Sequence, residues 1–142
     1  MYSALADIKK LLPEETLIQL TDDEGIGQIN QGRVDEAIAV ADSVIDTYCG
    51  TKYSVPFTTA PPVVKAMSVD IAIYNLYSRR VDEVPKSRDE RYKNAIRQLE
   101  GISRGLISIG KDPAPAAVSE GGVETNKTEA DRVFTRTKME GY

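Results

Sequence analysis

The chain has 142 residues, of which 41% are apolar and 28% charged, with a formal net charge of −4. That length supports one ordinary domain with extensions, and the balance excludes both wholesale disorder and a bilayer-embedded protein. Histidine is absent and Cys49 is the only cysteine, which removes the commonest general base, the commonest zinc ligand and any intrachain disulfide.

Nothing in the chain resembles a phosphate-cradling loop, a nucleophile elbow or a calcium loop, so no catalytic, cofactor-binding or metal-ligating residue is expected. Lysine or carboxylate chemistry stays open, and docking to other protein surfaces is the class of function the composition favours. No apolar run approaches the roughly 20 residues that span a membrane. Asp7, Lys9 and Lys10 interrupt the first twelve residues and argue against a secretory signal, and the single cysteine fits a reducing compartment such as a cytoplasm.

Leu5, Ile8, Leu11 and Leu12 mark one face of a short helix that Pro13 ends. A second short helix follows, with Pro13 in its first turn, Glu14 and Glu15 complementing its dipole, and Leu17, Ile18 and Leu20 on its buried side. Thr21 to Gly32 reads as a polar loop. Its Asp22, Asp23 and Glu24 lie side by side, not at the alternating positions of a calcium loop, so they predict a solvated turn.

Val34, Ala37, Ile38, Ala41, Val44, Ile45 and Tyr48 recur in steps of three and four and predict an amphipathic helix. Asp35 and Glu36 are expected in its first turn, and Gly50 is expected to stop it in a left-handed conformation. Thr51 to Phe57 alternates and is punctuated by proline, which predicts an extended loop or a single edge strand.

Pro61 and Pro62 open a helix reaching about Arg80. It is apolar on nearly every face, which places it in the middle of the fold, with Ile71, Tyr74 and Leu76 in the core. Asp70 interrupts it and needs an arginine or tyrosine partner. Val84 and Pro85 break this helix, and Ser87 with Glu90 has the spacing of a capping box for the next. That helix should bury Tyr92, Ala95, Ile96, Leu99, Ile102 and Leu106, while Gly101 and Gly105 permit another helix to approach closely.

Beyond Gly110 the composition turns to Pro, Gly, Ser, Thr and Glu with scattered large apolar residues, too few to offset the ordering entropy. The expected fold is therefore all-α: a four- to five-helix bundle over 1–110 with a proline-bounded extended loop, and a long extended C-terminal tail over 111–142.

Charge is unevenly placed. Residues 1–60 hold 4 basic and 10 acidic side chains, residues 61–111 hold 10 and 6, and residues 112–142 hold 4 and 6. Such asymmetry suits either solvated helix faces or copies steered head to tail. The basic run Arg79, Arg80, Lys86, Arg88, Arg91, Lys93 and Arg97 raises the alternative of a small helical nucleic-acid-binding or regulatory module. Its interleaved Asp82, Glu83, Asp89 and Glu90 favour a solvated face.

Several landmarks taken together resemble a known family. They are Tyr2-Ser3-Ala4-Leu5-Ala6-Asp7, Glu15-Thr16-Leu17-Ile18-Gln19-Leu20-Thr21-Asp22 and the acidic helix ending before Tyr53-Ser54-Val55-Pro56-Phe57. Asp70-Ile71-Ala72-Ile73-Tyr74-Asn75-Leu76-Tyr77, Arg91-Tyr92-Lys93-Asn94-Ala95-Ile96 and Arg132-Val133-Phe134-Thr135-Arg136 complete the set. In this order they resemble the Mu-like phage and prophage proteins of the head–tail junction, related to the head-completion or adaptor proteins of other tailed phages.

The resemblance implies a ring of identical copies, commonly twelve, in the virion neck after a cytoplasmic stage in the host. Its partners would be the portal protein above and a tail-side neck or tail-terminator protein below, with DNA passing without sequence-specific contact and no membrane involved. Two regions are candidates for contact. In the tail, Val133, Phe134, Met139 and Tyr142 are expected as anchors, with Arg132 and Arg136 bonding carboxylates or carbonyls around them. In the loop, Tyr53, Val55, Pro56 and Phe57 either face the portal or lumen or fold back on their own bundle.

Overall fold

The computed structural model describes residues 1–80 and 83–115. Five helices follow one another: α1 Leu5–Lys9, α2 Glu14–Thr21, α3 Gln31–Cys49, α4 Pro62–Arg80 and α5 Lys86–Ser103. The fold is all-α, and the described residues contain no strand. Helix α4 touches each of the other four, and α3 and α5 also pack on each other along its sides. Its Val64, Met67, Ile71, Ala72, Ile73 and Leu76 are buried, as expected of a helix apolar on nearly every face.

Facing them, α3 buries Val34, Ala37, Ile38, Ala41 and Ile45, and α5 buries Ala95, Leu99 and Ile102. The short helices add Ile8, Leu17 and Leu20 to the same core. The stretch from Thr51 to Phe57 is a loop, with a cis peptide bond between Val55 and Pro56.

Several boundaries differ from the sequence expectation for local physical reasons. Pro13 is the N-cap of α2 and lies outside its first turn, while Leu11 stays exposed beside the buried Leu12. Helix α3 starts a turn early because the Asn30 side chain accepts the Arg33 N–H at 3.3 Å, so Asp35 and Glu36 fall beyond its first turn. Gly50 is right-handed, with φ −59°, because the chain keeps turning: Asp46 O accepts its N–H at 2.8 Å and Cys49 O accepts those of Lys52 and Tyr53.

At α5 the cap is Pro85, whose carbonyl accepts the N–H groups of Arg88 and Asp89, and the Ser87 side chain makes no cap bond. This helix ends at Ser103, before Leu106. Gly105, at φ +75°, donates to Ile102 O at 2.9 Å, and Leu106 N–H reaches Gly101 O at 2.8 Å. Together these bonds form a Schellman turn. The reversal sends Leu106 into solvent, 78% exposed, where burial had been expected. It also lays Ile107 across Gly101, so the close approach at that glycine comes from the same chain and not from another helix.

Candidate docking surface

A polar network pins the N-terminal arm to the bundle. Asp42 accepts the Tyr2 N–H at 2.9 Å with Oδ2 and the Ser68 hydroxyl at 2.8 Å with Oδ1, and Ser3 and Ser68 share a buried hydroxyl contact of 2.8 Å. One turn further along α3, Asp46 accepts the Tyr2 hydroxyl proton, and that same hydroxyl oxygen accepts the Phe57 N–H at 3.0 Å. Burial, reinforced by the bond to Asp46, pushes the Tyr2 phenol far above its ordinary pKa, so it remains a donor. Beside this network lies an open groove of about 610 Å³, walled by Tyr2, Ala39, Asp42, Asp46 and Pro56 and edged by Thr47.

The loop candidates divide. Tyr53 and Phe57 are buried, Val55 is half-buried and Pro56 is exposed. The two rings lie 6.3 Å apart, and Phe57 also meets Tyr2 at 5.6 Å. The loop is thus folded back on its own bundle with its aromatic rings inward, leaving Pro56 and the polar residues outermost.

Residues after α5 run over this loop. Lys111 Nζ sits 5.2 Å above the Phe57 ring and donates to Thr59 O at 2.8 Å, while Ala114 N–H reaches Lys52 O at 2.7 Å. Lys111 to Pro115, which composition assigns to the tail, therefore lie against the body. Arg132, Val133, Phe134, Arg136, Met139 and Tyr142 lie outside the described residues.

The acidic turn is exposed at Asp23 and Glu24, as expected of a solvated turn, and it is ion-paired as well. Asp22 accepts the N–H groups of Ile26 and Gly27, which close the loop and lower its pKa. Asp23 is bonded by Arg33 at 2.6 Å, by Arg79 at 2.8 Å and by Arg80. The Arg79 bonds, with the nearby guanidinium charges, hold its carboxyl at about 2.

Much of the basic run is occupied in the same way. Arg91 pairs with Asp70 at 2.7 Å, Lys93 pairs with Asp89 at 2.6 Å, and Arg88 donates to Leu11 O at 2.7 Å. Asp70 thus has the arginine partner its position demanded. It sits at the rim of a core in which Ile71 and Leu76 are fully enclosed, whereas Tyr74, expected in that core, is only half-buried and stacks on Tyr92 at 3.9 Å.

Sequence reasoning did not single out Asp42, Asp46, or Asp23 as a hub for three arginines. A signal existed for Asp42: it lies four residues after Ile38 and three before Ile45, at the edge of the buried stripe, where an unpartnered carboxylate is costly. Nothing local reveals the Asp23 cluster, because its arginines come from two distant helices. Large apolar side chains also remain on the surface, including Ile26 at 69% and Val40 at 50% exposure.

The structure defines a small all-helical protein whose charged side chains largely brace its own fold. Among the described residues, no three Cys, Asp or Glu side chains are grouped to hold a metal ion, and no helix is long and apolar enough to cross a membrane. The chain belongs to the Bacteriophage Mu Gp36 family, whose model matches residues 2–127. It is 31% identical over 115 residues to the Mu-like prophage FluMu protein gp36 of Haemophilus influenzae, a match covering 80% of this chain and 78% of that protein. It is also 26% identical over 116 residues to gene product J of Escherichia phage Mu, covering 82% and 79%.

Proposed function

We propose that the chain is a structural head–tail adaptor of a Mu-like phage or prophage-derived particle, acting by docking and not by catalysis. Identical copies, twelve in the expected arrangement, form a ring in the virion neck that joins the portal to a tail-side neck or tail-terminator protein. DNA passes through this ring without sequence readout, and the chain requires no cofactor.

The observation carrying this reading is the match to a phage Mu family over residues 2–127, which spans the whole described body. One feature of the geometry supports it. The basic run, the main feature of the nucleic-acid alternative, is largely engaged within the chain by Asp23, Asp70 and Asp89, so fewer of its charges are available to neutralise phosphates.

Electron microscopy of particles produced without this chain tests the role. The expected outcome is DNA-filled heads and separate tails that do not join. Complete virions of normal infectivity would overturn it. Steeply salt-dependent binding of the purified protein to duplex DNA would favour the nucleic-acid module instead.

A further inference from the structure

The groove beside the N-terminal arm combines two chemistries on facing walls. Asp42 and Asp46 stand one helical turn apart on α3, and Tyr2, Ala39 and Pro56 supply apolar surface around them. Both carboxylates already hold the arm in place and the Met1 ammonium lies 3.9 Å from Asp42, yet the groove stays open and its lining keeps a net negative charge. Its natural complement is a short segment with two positive charges flanking large apolar side chains.

The chain itself contains such a segment. Arg132-Val133-Phe134-Thr135-Arg136 has two arginines, no acid, and the only phenylalanine besides the buried Phe57. We propose that this groove receives the Arg132–Arg136 segment of a neighbouring copy, the arginines pairing with Asp42 and Asp46 while Val133 and Phe134 cover Tyr2, Ala39 and Pro56. The proposal rests on the adaptor reading, which supplies the neighbouring copies.

Three observations direct the segment to this place. First, Pro56 borders both this groove and a hollow lined by Lys111 to Pro115, so the last described residues lie close to the groove. Second, Arg132 is 17 positions beyond Pro115, a length that can span up to about 55 Å, whereas a body of this size has a radius of gyration of only about 13 Å. That reach is far more than the adjacent groove requires and enough to arrive at a neighbour's. Third, the hollow beside Val40 is lined by Arg33, Arg79 and Glu36, so its wall lacks the net negative charge that two arginines would seek.

The test uses the full chain with Thr47→Cys and Phe134→Cys, placing one thiol on the groove's exposed edge and one on the segment. The native Cys49 is buried and stays out of the reaction. Oxidation in assembled particles should give a ladder of covalently linked copies, with each single variant as control. Adding Arg132→Glu and Arg136→Glu should reduce that ladder several-fold.

Particles that contain the chain but show no link, or only an intrachain link, overturn the groove assignment and leave the adaptor role standing. A ladder unaffected by the two charge reversals overturns it as well. If particles lack the chain, the adaptor reading fails, and the same oxidation of the purified full chain decides the groove by itself.

Discussion

Tyr2 and Phe57 are joined twice over: their rings meet at 5.6 Å, and the Phe57 N–H donates to the Tyr2 hydroxyl at 3.0 Å. Because that hydroxyl also donates to Asp46, one oxygen links the N-terminal arm, α3 and the loop before α4. Tyr2→Phe keeps the ring and removes the oxygen, leaving a buried N–H without its partner. The expected loss is about 1–3 kcal/mol, read as a lower urea midpoint with an unchanged slope.

The placement of α4 predicts a contrast among apolar residues. Ile71→Ala or Leu76→Ala should each destabilise by about 2–5 kcal/mol, because both side chains are enclosed and their removal leaves a cavity. Leu106→Ala should stay within about 0.5 kcal/mol of the parent, since Leu106 is in solvent in the unassembled chain. Equal midpoints for all three variants would contradict this packing.

Acid stability should depend on Asp23. Its folded carboxyl titrates at about 2, below the ordinary 3.8, so its stabilising contribution is complete above pH 4 and disappears as pH falls through 2. Asp7 and Asp22 are shifted in the same direction, Asp7 chiefly by Lys65 and Asp22 by backbone N–H groups, so they add to the same slope. Asp23→Asn should flatten part of the decline in urea midpoint between pH 4 and pH 2. An unaltered decline would show that the three arginines are not stabilised by that carboxylate.

The two glycines at the end of α5 should respond unequally to alanine. At Gly105 a side chain must adopt φ +75°, at a cost of about 1–2 kcal/mol. At Gly101 the new Cβ would lie 2.6 Å from Ile107 Cδ1, the far end of an exposed side chain that can swing aside, and alanine gains about 0.5–1 kcal/mol of helix preference. Thermal melts should therefore show Gly105→Ala destabilised and Gly101→Ala close to the parent.

Cys49 offers a direct probe of core opening. Burial, with Asp46 nearby, pushes its thiol up to about 11, so almost no thiolate is present at pH 8 and reagents lack access. Alkylation should be negligible in the native protein and complete in denaturant. Rapid labelling under native conditions would mean that the C-terminal end of α3 opens readily.

The elements readable in the sequence were those written in a local code. The three- and four-residue spacing from Val34 to Tyr48, and the apolar residues around Ile71, identify α3 and α4 because helix periodicity needs no knowledge of the rest of the fold. Ends were less legible, since a cap depends on which competing bond wins. Asn30 started α3 early, and the Pro85 carbonyl displaced the Ser87 box. Leu106 follows the periodicity of α5, yet Gly105 turns the chain before that residue can reach the core. The groove was least legible, because Tyr2, Asp42, Asp46 and Pro56 meet only through tertiary packing.

The closure of the Tyr53–Phe57 loop by Lys111 and Ala114 also bears on biosynthesis. A chain made from its N-terminus has Phe57 in place well before Lys111 can cover its ring or Ala114 can bond Lys52 O. The covering residues are among the last of the body to emerge, so the nascent chain carries an incompletely shielded aromatic pair until synthesis has passed α5. An interruption before that point leaves a body with Phe57 uncovered, a ready target for chaperones and proteases, whereas passage beyond Pro115 supplies everything this corner needs.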